Sequence, residues 1–147
     1  MEECVMNNLV VSQRDIGRQC EEQVASICSM LGYSVYIPEK QSCTPWDIEV
    51  NGMRVQVKAR DGVYRRDRIK LRTNRCNTEI AYLCSDVDFF VIRFLPIWFV
   101  IPSFAIANQA GEVRNAIYPA KLGEWTNRWD AIKGDRVLYS RQKCFEF

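Results

Sequence analysis

A chain of 147 residues that is 48% hydrophobic and 26% charged is long enough for one buried core and has the composition of a globular protein. No run of ~18 apolar residues is present for a membrane span, and the opening MEECVMNNLVVSQRD has neither the basic start nor the apolar run of a signal peptide, so a cytoplasmic location is expected. Net charge is only +2, and the complete absence of histidine excludes Ser-His-Asp and Cys-His nucleophiles as well as His-ligated zinc chemistry.

Residues 1–11 carry no periodic signal and read as a tail. Ser12 followed by Asp15 resembles a capping box, and Ile16, Cys20, Val24, Ile27, Cys28 and Leu31 recur at helical spacing. A helix is therefore expected from Gln13 to Leu31, with Gly32 as its C-cap. It carries Glu21 and Glu22. Glu21 flanks the apolar stripe and can reach a sheet beneath, whereas Glu22 lies further round toward solvent. Tyr33 to Ile37 alternates and reads as a strand, and Pro38 to Pro45 as a loop.

Asn51-Gly52 is a two-residue hairpin signal, because a type I′ turn needs positive φ at both positions. The pairing it sets places Val50 opposite Met53, Glu49 opposite Arg54, Ile48 opposite Val55 and Asp47 opposite Gln56. One face then carries Trp46, Ile48, Val50, Met53, Val55 and Val57, and the other Asp47, Glu49, Arg54, Gln56 and Lys58. Two oxygen ligands and an ammonium gathered on one face suit a hard metal ion that activates water for attack on phosphate. An ordinary hairpin with a wet polar face would show the same alternation.

Residues 54–75 hold nine Lys or Arg against two acids, a block that points to a polyanionic partner. From Arg66, the alternation of Arg66, Arg68, Lys70 and Arg72 with Ile69 and Leu71 predicts a strand with one basic face. Asp88 to Phe94 and Ile97 to Ile101 read as two buried strands around Leu95-Pro96, followed by a short helix capped by Ser103. Asp86 and Asp88 read as turn residues. Leu122, Trp125, Trp129 and Ile132 recur at helical spacing over Lys121–Lys133, and Arg136 to Ser140 adds a last strand or a basic arm. The chain is expected to be one domain over 1–147, with 121–147 as a C-terminal helix and arm available to an interface. Seven cysteines without a CxxC pair or a secretory signal argue for free thiols.

The pieces Pro45-Trp46-Asp47 and Gln56-Val57-Lys58, preceded by a helix with Glu21, resemble the PD-(D/E)XK nuclease superfamily. The flanking text is most similar to its group I intron homing endonuclease branch, where Gln is known at the place of the second acid. Two departures are a Trp between Pro45 and Asp47 and Gln56 itself, which adds no negative charge and weakens metal affinity. The resemblance implies an α/β fold with a mixed central β-sheet flanked by helices. It also implies a site-specific endonuclease of double-stranded DNA that uses Mg²⁺, with Mn²⁺ as a substitute, and works as a homodimer or homotetramer away from membranes. By the same resemblance the metal ligands are Asp47, the Gln56 side-chain oxygen, the Val57 backbone carbonyl and Glu21, with Lys58 completing the catalytic set. DNA phosphates would be held by Arg60, Arg65, Arg66, Arg68, Lys70, Arg72 and Arg75. A Holliday junction resolvase shares this core, and a binding module on a decayed nuclease fold would also account for Gln56.

Overall fold

The structure is a computed structural model that describes residues 13–39, 45–62, 66–71 and 82–132. The chain opens with helix α1 (Gln13–Met30), which buries Cys20, Val24 and Cys28 at i, i+4 spacing while Leu31 just beyond it stays exposed. Gly32 (φ 83°) ends it: Tyr33 N–H donates to the Cys28 carbonyl and Gly32 N–H to the Ser29 carbonyl, each at 3.0 Å. That pair of bonds is the Schellman arrangement that a left-handed glycine permits.

Five strands follow in one sheet: β1 (Val35–Tyr36), β2 (Ile48–Val50), β3 (Met53–Arg60), β5 (Phe89–Phe94) and β6 (Ile97–Pro102), in that spatial order. Only the central β3–β5 pair is parallel, so the sheet is mixed. A separate two-stranded ribbon pairs β4 (Ile69–Lys70) with β7 (Ala116–Ile117). The β2–β3 turn has Asn51 and Gly52 at φ 53° and 78°, and its register pairs Val50 with Met53, Glu49 with Arg54 and Ile48 with Val55, as read from sequence.

Beyond Ile48 the ladder changes. Asp47 N–H donates 2.9 Å to the carbonyl of Val55, the residue already opposite Ile48. Two residues of one strand thus meet one of the other, as in a β-bulge. The extra residue reverses the parity of the chain behind it. Trp46 consequently packs on the far face of the sheet from Ile48, which corrects its expected place on the hairpin's apolar face.

Strand alternation splits the interior into two cores. Phe89, Val91 and Val100 join the hairpin's apolar side chains against α1, and Phe90, Ile92, Phe94, Phe99 and Ile101 pack on the opposite face. Asp88, fully buried, accepts from the Arg54 backbone N–H (2.8 Å) and from its guanidinium (3.1 and 3.2 Å). It is a clamp between β3 and β5 rather than a turn residue; Asp86, which accepts from Leu83 N–H at 3.2 Å, is one.

The expected mixed sheet with a helix packed on it is present; among the described residues α1 is the one α-helix, and the β4–β7 ribbon and 3₁₀ turns contribute side chains to the core on the sheet's second face. Several expectations are corrected. Residues 121–132 form short 3₁₀ turns, with Asn127 at φ 51°, instead of a helix. Spacing of three to four residues fits both, but here Leu122 and Trp125 belong to one core and Trp129 and Ile132 to the other. Ser103 opens a 3₁₀ turn without capping it, and its buried hydroxyl has no hydrogen-bond partner. Cys84 is disulfide-bonded, against the expectation of free thiols, whereas Cys20 and Cys28 are free. The expected tail of residues 1–11 and the last strand or basic arm of 134–147 lie outside the described residues. No helix among the described residues is long and apolar enough to cross a membrane.

At the end of β3, Gly62 has φ 156°, and a Cβ there would lie 3.1 Å from both the Asp67 Cβ and the Phe94 ring. Gly62→Ala is expected to cost about 1–3 kcal/mol. Urea unfolding would show it as a lower midpoint at unchanged m-value.

Candidate active site

The bulge is what builds the site. By turning Asp47 out of the ladder it frees the carboxylate, whose Oδ2 accepts from the Val57 N–H at 2.8 Å. The Gln56 amide reaches the same oxygen. Oriented for hydrogen bonding, its NH₂ donates to Asp47 Oδ2 (2.9 Å) and to the Pro45 carbonyl (3.0 Å). Asp47 and Gln56 therefore meet, although not as the cross-strand pair that a regular hairpin would make. Turned half a revolution, the amide would point its oxygen at those two oxygens, three acceptors converging without a proton. That donor set suits a hard cation with oxygen ligands. Among the described residues no cluster of three His, Cys, Asp or Glu side chains would hold a metal by itself, so any such site has to use the amide or backbone oxygens.

Gln56 and Lys58 project from β3 away from α1, while Val57 packs toward the helix. Burial pushes the Lys58 ammonium from its ordinary 10.5 down to about 8; the Arg60 charge adds to this and Asp47 opposes it. Its Nζ lies 5.7 Å above the ring of Tyr82. The Tyr82 hydroxyl stands 3.4 Å from the outer atom of the Gln56 amide.

On the helix side, Glu21 is buried and Glu22 exposed. Cys20, next to Glu21, donates its thiol toward the Lys58 carbonyl at 3.9 Å. Burial pushes that thiol up to about 11; Arg93 opposes the rise, and the carboxylates of Glu21 and Asp47 both add to it. Two carboxylates, one from α1 and one from the bulge, thus act electrostatically on the same thiol.

Of the basic residues, Arg66, Arg68 and Lys70 are exposed around the short β4, alternating with buried Ile69 and Leu71. The strand is shorter than expected. Arg60 donates to the carbonyls of Lys70 and Ala59, each at 2.8 Å, and so ties β4 to the end of β3. Arg65, Arg72 and Arg75 lie outside the described residues. A cleft of ≈ 680 Å³ between the start of α1 and the end of β3 is lined by Lys58, Arg60, Lys70 and Arg93, with Asp61 as its acid. Arg93 and Tyr82 are the residues that sequence reasoning passed over. Arg93 sits inside an apolar strand, and Tyr82 in a stretch without periodicity.

A mixed sheet with a parallel central pair, a helix on one face and an acidic hairpin leading into Gln-x-Lys defines the restriction-endonuclease-like fold. Among solved structures the chain is similar to a bacterial homing endonuclease, I-Ssp6803I, with a TM-score of 0.59 at 18% identity over 82% of this chain and 91% of that one. No protein-family model and no curated sequence matches it.

Proposed function

We propose that the chain is a metal-dependent endonuclease of double-stranded DNA, of the site-specific homing type. The observation that carries this reading is the meeting of Asp47 and the Gln56 amide at the bulge, two residues from a half-buried Lys58. It is supported by a fold shared with a homing endonuclease. Asp47, the Gln56 side-chain oxygen, the Val57 carbonyl and Glu21 would hold Mg²⁺, or Mn²⁺ in its place. Held there, such an ion would supply positive charge to polarise the scissile phosphate and acidify a water. Lys58 orients the attacking water and offsets the negative charge that gathers on the phosphate. The exposed Arg66, Arg68 and Lys70 grip the DNA backbone and set its register without reading bases. Cutting both strands takes two copies of the site, hence a homodimer or homotetramer.

One observation favours a second reading, a DNA-binding module that does not cut. The Gln56 amide, turned with its NH₂ inward, satisfies Asp47 with a hydrogen bond and brings no negative charge of its own. The two readings separate when purified protein is incubated with a duplex DNA library in Mg²⁺ and in EDTA. Cuts at one recurrent sequence in Mg²⁺, absent in EDTA, are expected. Retention of DNA without cutting in Mg²⁺ and in Mn²⁺ would establish the binding module.

A further inference from the structure

Tyr82 reaches the site from the far core. It is buried at 6% exposure, and its ring meets Phe90 edge-on at 6.0 Å. From there the hydroxyl addresses Gln56 and the ring face addresses Lys58. We infer that Tyr82 is a positioning residue that makes Gln56 usable as a metal ligand, holding the amide whichever way it is turned; the inference rests on the metal-dependent reading above.

With NH₂ inward, Gln56 is bonded to Asp47 and Pro45, and its oxygen faces Tyr82. Presenting the oxygen to a cation needs a half-turn about the last side-chain torsion, which has a broad profile. The NH₂ then points outward, to the place where the hydroxyl stands. A tyrosine hydroxyl both donates and accepts, so it serves the amide oxygen in one state and the amide N–H in the other. A phenylalanine serves neither. Its penalty falls more heavily on the cation-binding state, because an orphaned buried N–H is tolerated less than an under-used carbonyl.

The test is calorimetric titration of the full chain with Mn²⁺ alone, comparing parent, Tyr82→Phe, Gln56→Glu and the double variant. Tyr82→Phe keeps the ring against Phe90 and under Lys58, so the fold is retained. Its Mn²⁺ affinity is expected to fall about fivefold, the loss of roughly one buried hydrogen bond. Gln56→Glu is expected to bind more tightly than the parent. In that background Tyr82→Phe should change affinity by less than about twofold, since a carboxylate offers an oxygen either way round. Equal Mn²⁺ binding by parent and Tyr82→Phe would overturn the positioning role and leave the metal site standing. A fivefold loss that persists in the Gln56→Glu background would also overturn it, because the hydroxyl would then act without the amide. No Mn²⁺ binding by the parent would overturn both readings.

Discussion

Lys58→Ala is expected to lower DNA cleavage by roughly 10²–10⁴-fold, the range over which a positioned proton-transfer group contributes, while duplex binding falls little. Lys58 is one of four cations lining the cleft, but it is the one that leaves β3 two residues beyond Gln56 on the same face. Its burial pushes the ammonium down to about 8, so it gives up its proton more readily than a surface lysine and its amine is more available as a base. The exposed Arg66, Arg68 and Lys70, which hold phosphate on the proposed function, are untouched in the variant. Single-turnover cleavage in saturating Mg²⁺, run beside a gel-shift titration in Ca²⁺, separates the two effects. Lys58→Arg should not restore cleavage, because a guanidinium keeps its proton. Equal loss of binding and cutting would make Lys58 a phosphate clamp rather than part of the chemistry.

Asp88→Ala is expected to cost about 3–5 kcal/mol of stability, the usual penalty for removing one partner of a buried pair. Asp88 is fully buried and the Arg54 side chain retains 23% exposure, so the guanidinium cannot simply move into water without disturbing the strand. The backbone is involved as well. Arg54 N–H donates to the Asp88 carboxylate, Asp88 N–H donates to the Arg54 carbonyl, and Ser103 N–H donates to the Asp88 carbonyl. One residue therefore joins β3, β5 and the end of β6. Thermal unfolding should show a fall of roughly 10 °C or more for a domain of this size. Asp88→Asn, which keeps one acceptor and loses the charge, should fall between. An unchanged midpoint in both variants would mean that the clamp contributes nothing net.

The hairpin was legible because its signals are local. Asn51-Gly52 sets the turn, and alternation on either side sets the faces, as the register confirms. Helix α1 and strands β5 and β6 were legible for the same reason, each carrying its own period. The bulge at Asp47 was not. Nothing in Pro45-Trp46-Asp47 distinguishes a bulged strand from a straight one, and a single extra residue moved Trp46 to the other core. The C-terminal turns defeated periodicity differently. Leu122, Trp125, Trp129 and Ile132 keep helical spacing, yet they serve two cores on opposite sides of a sheet, a constraint that exists only in three dimensions. Tyr82 was invisible because its role depends on reaching Gln56, 26 positions away.

The two-residue turn at Asn51–Gly52 does more than reverse the chain. Asn51 is anchored twice over, its side chain accepting from Ser34 N–H at 3.0 Å and donating to the Ile132 carbonyl at 2.9 Å. The turn has no slack, and every residue behind it is counted from that point. A loop lengthened by one residue would slide β2 one step along β3, turning each of its side chains to the opposite face. Asp47 would then leave the Gln56 amide and the Val57 N–H while all the reactive side chains stayed in the chain. On the proposed function, loop length is thus itself a component of the chemistry, and an insertion there is expected to abolish cleavage as surely as deleting the carboxylate.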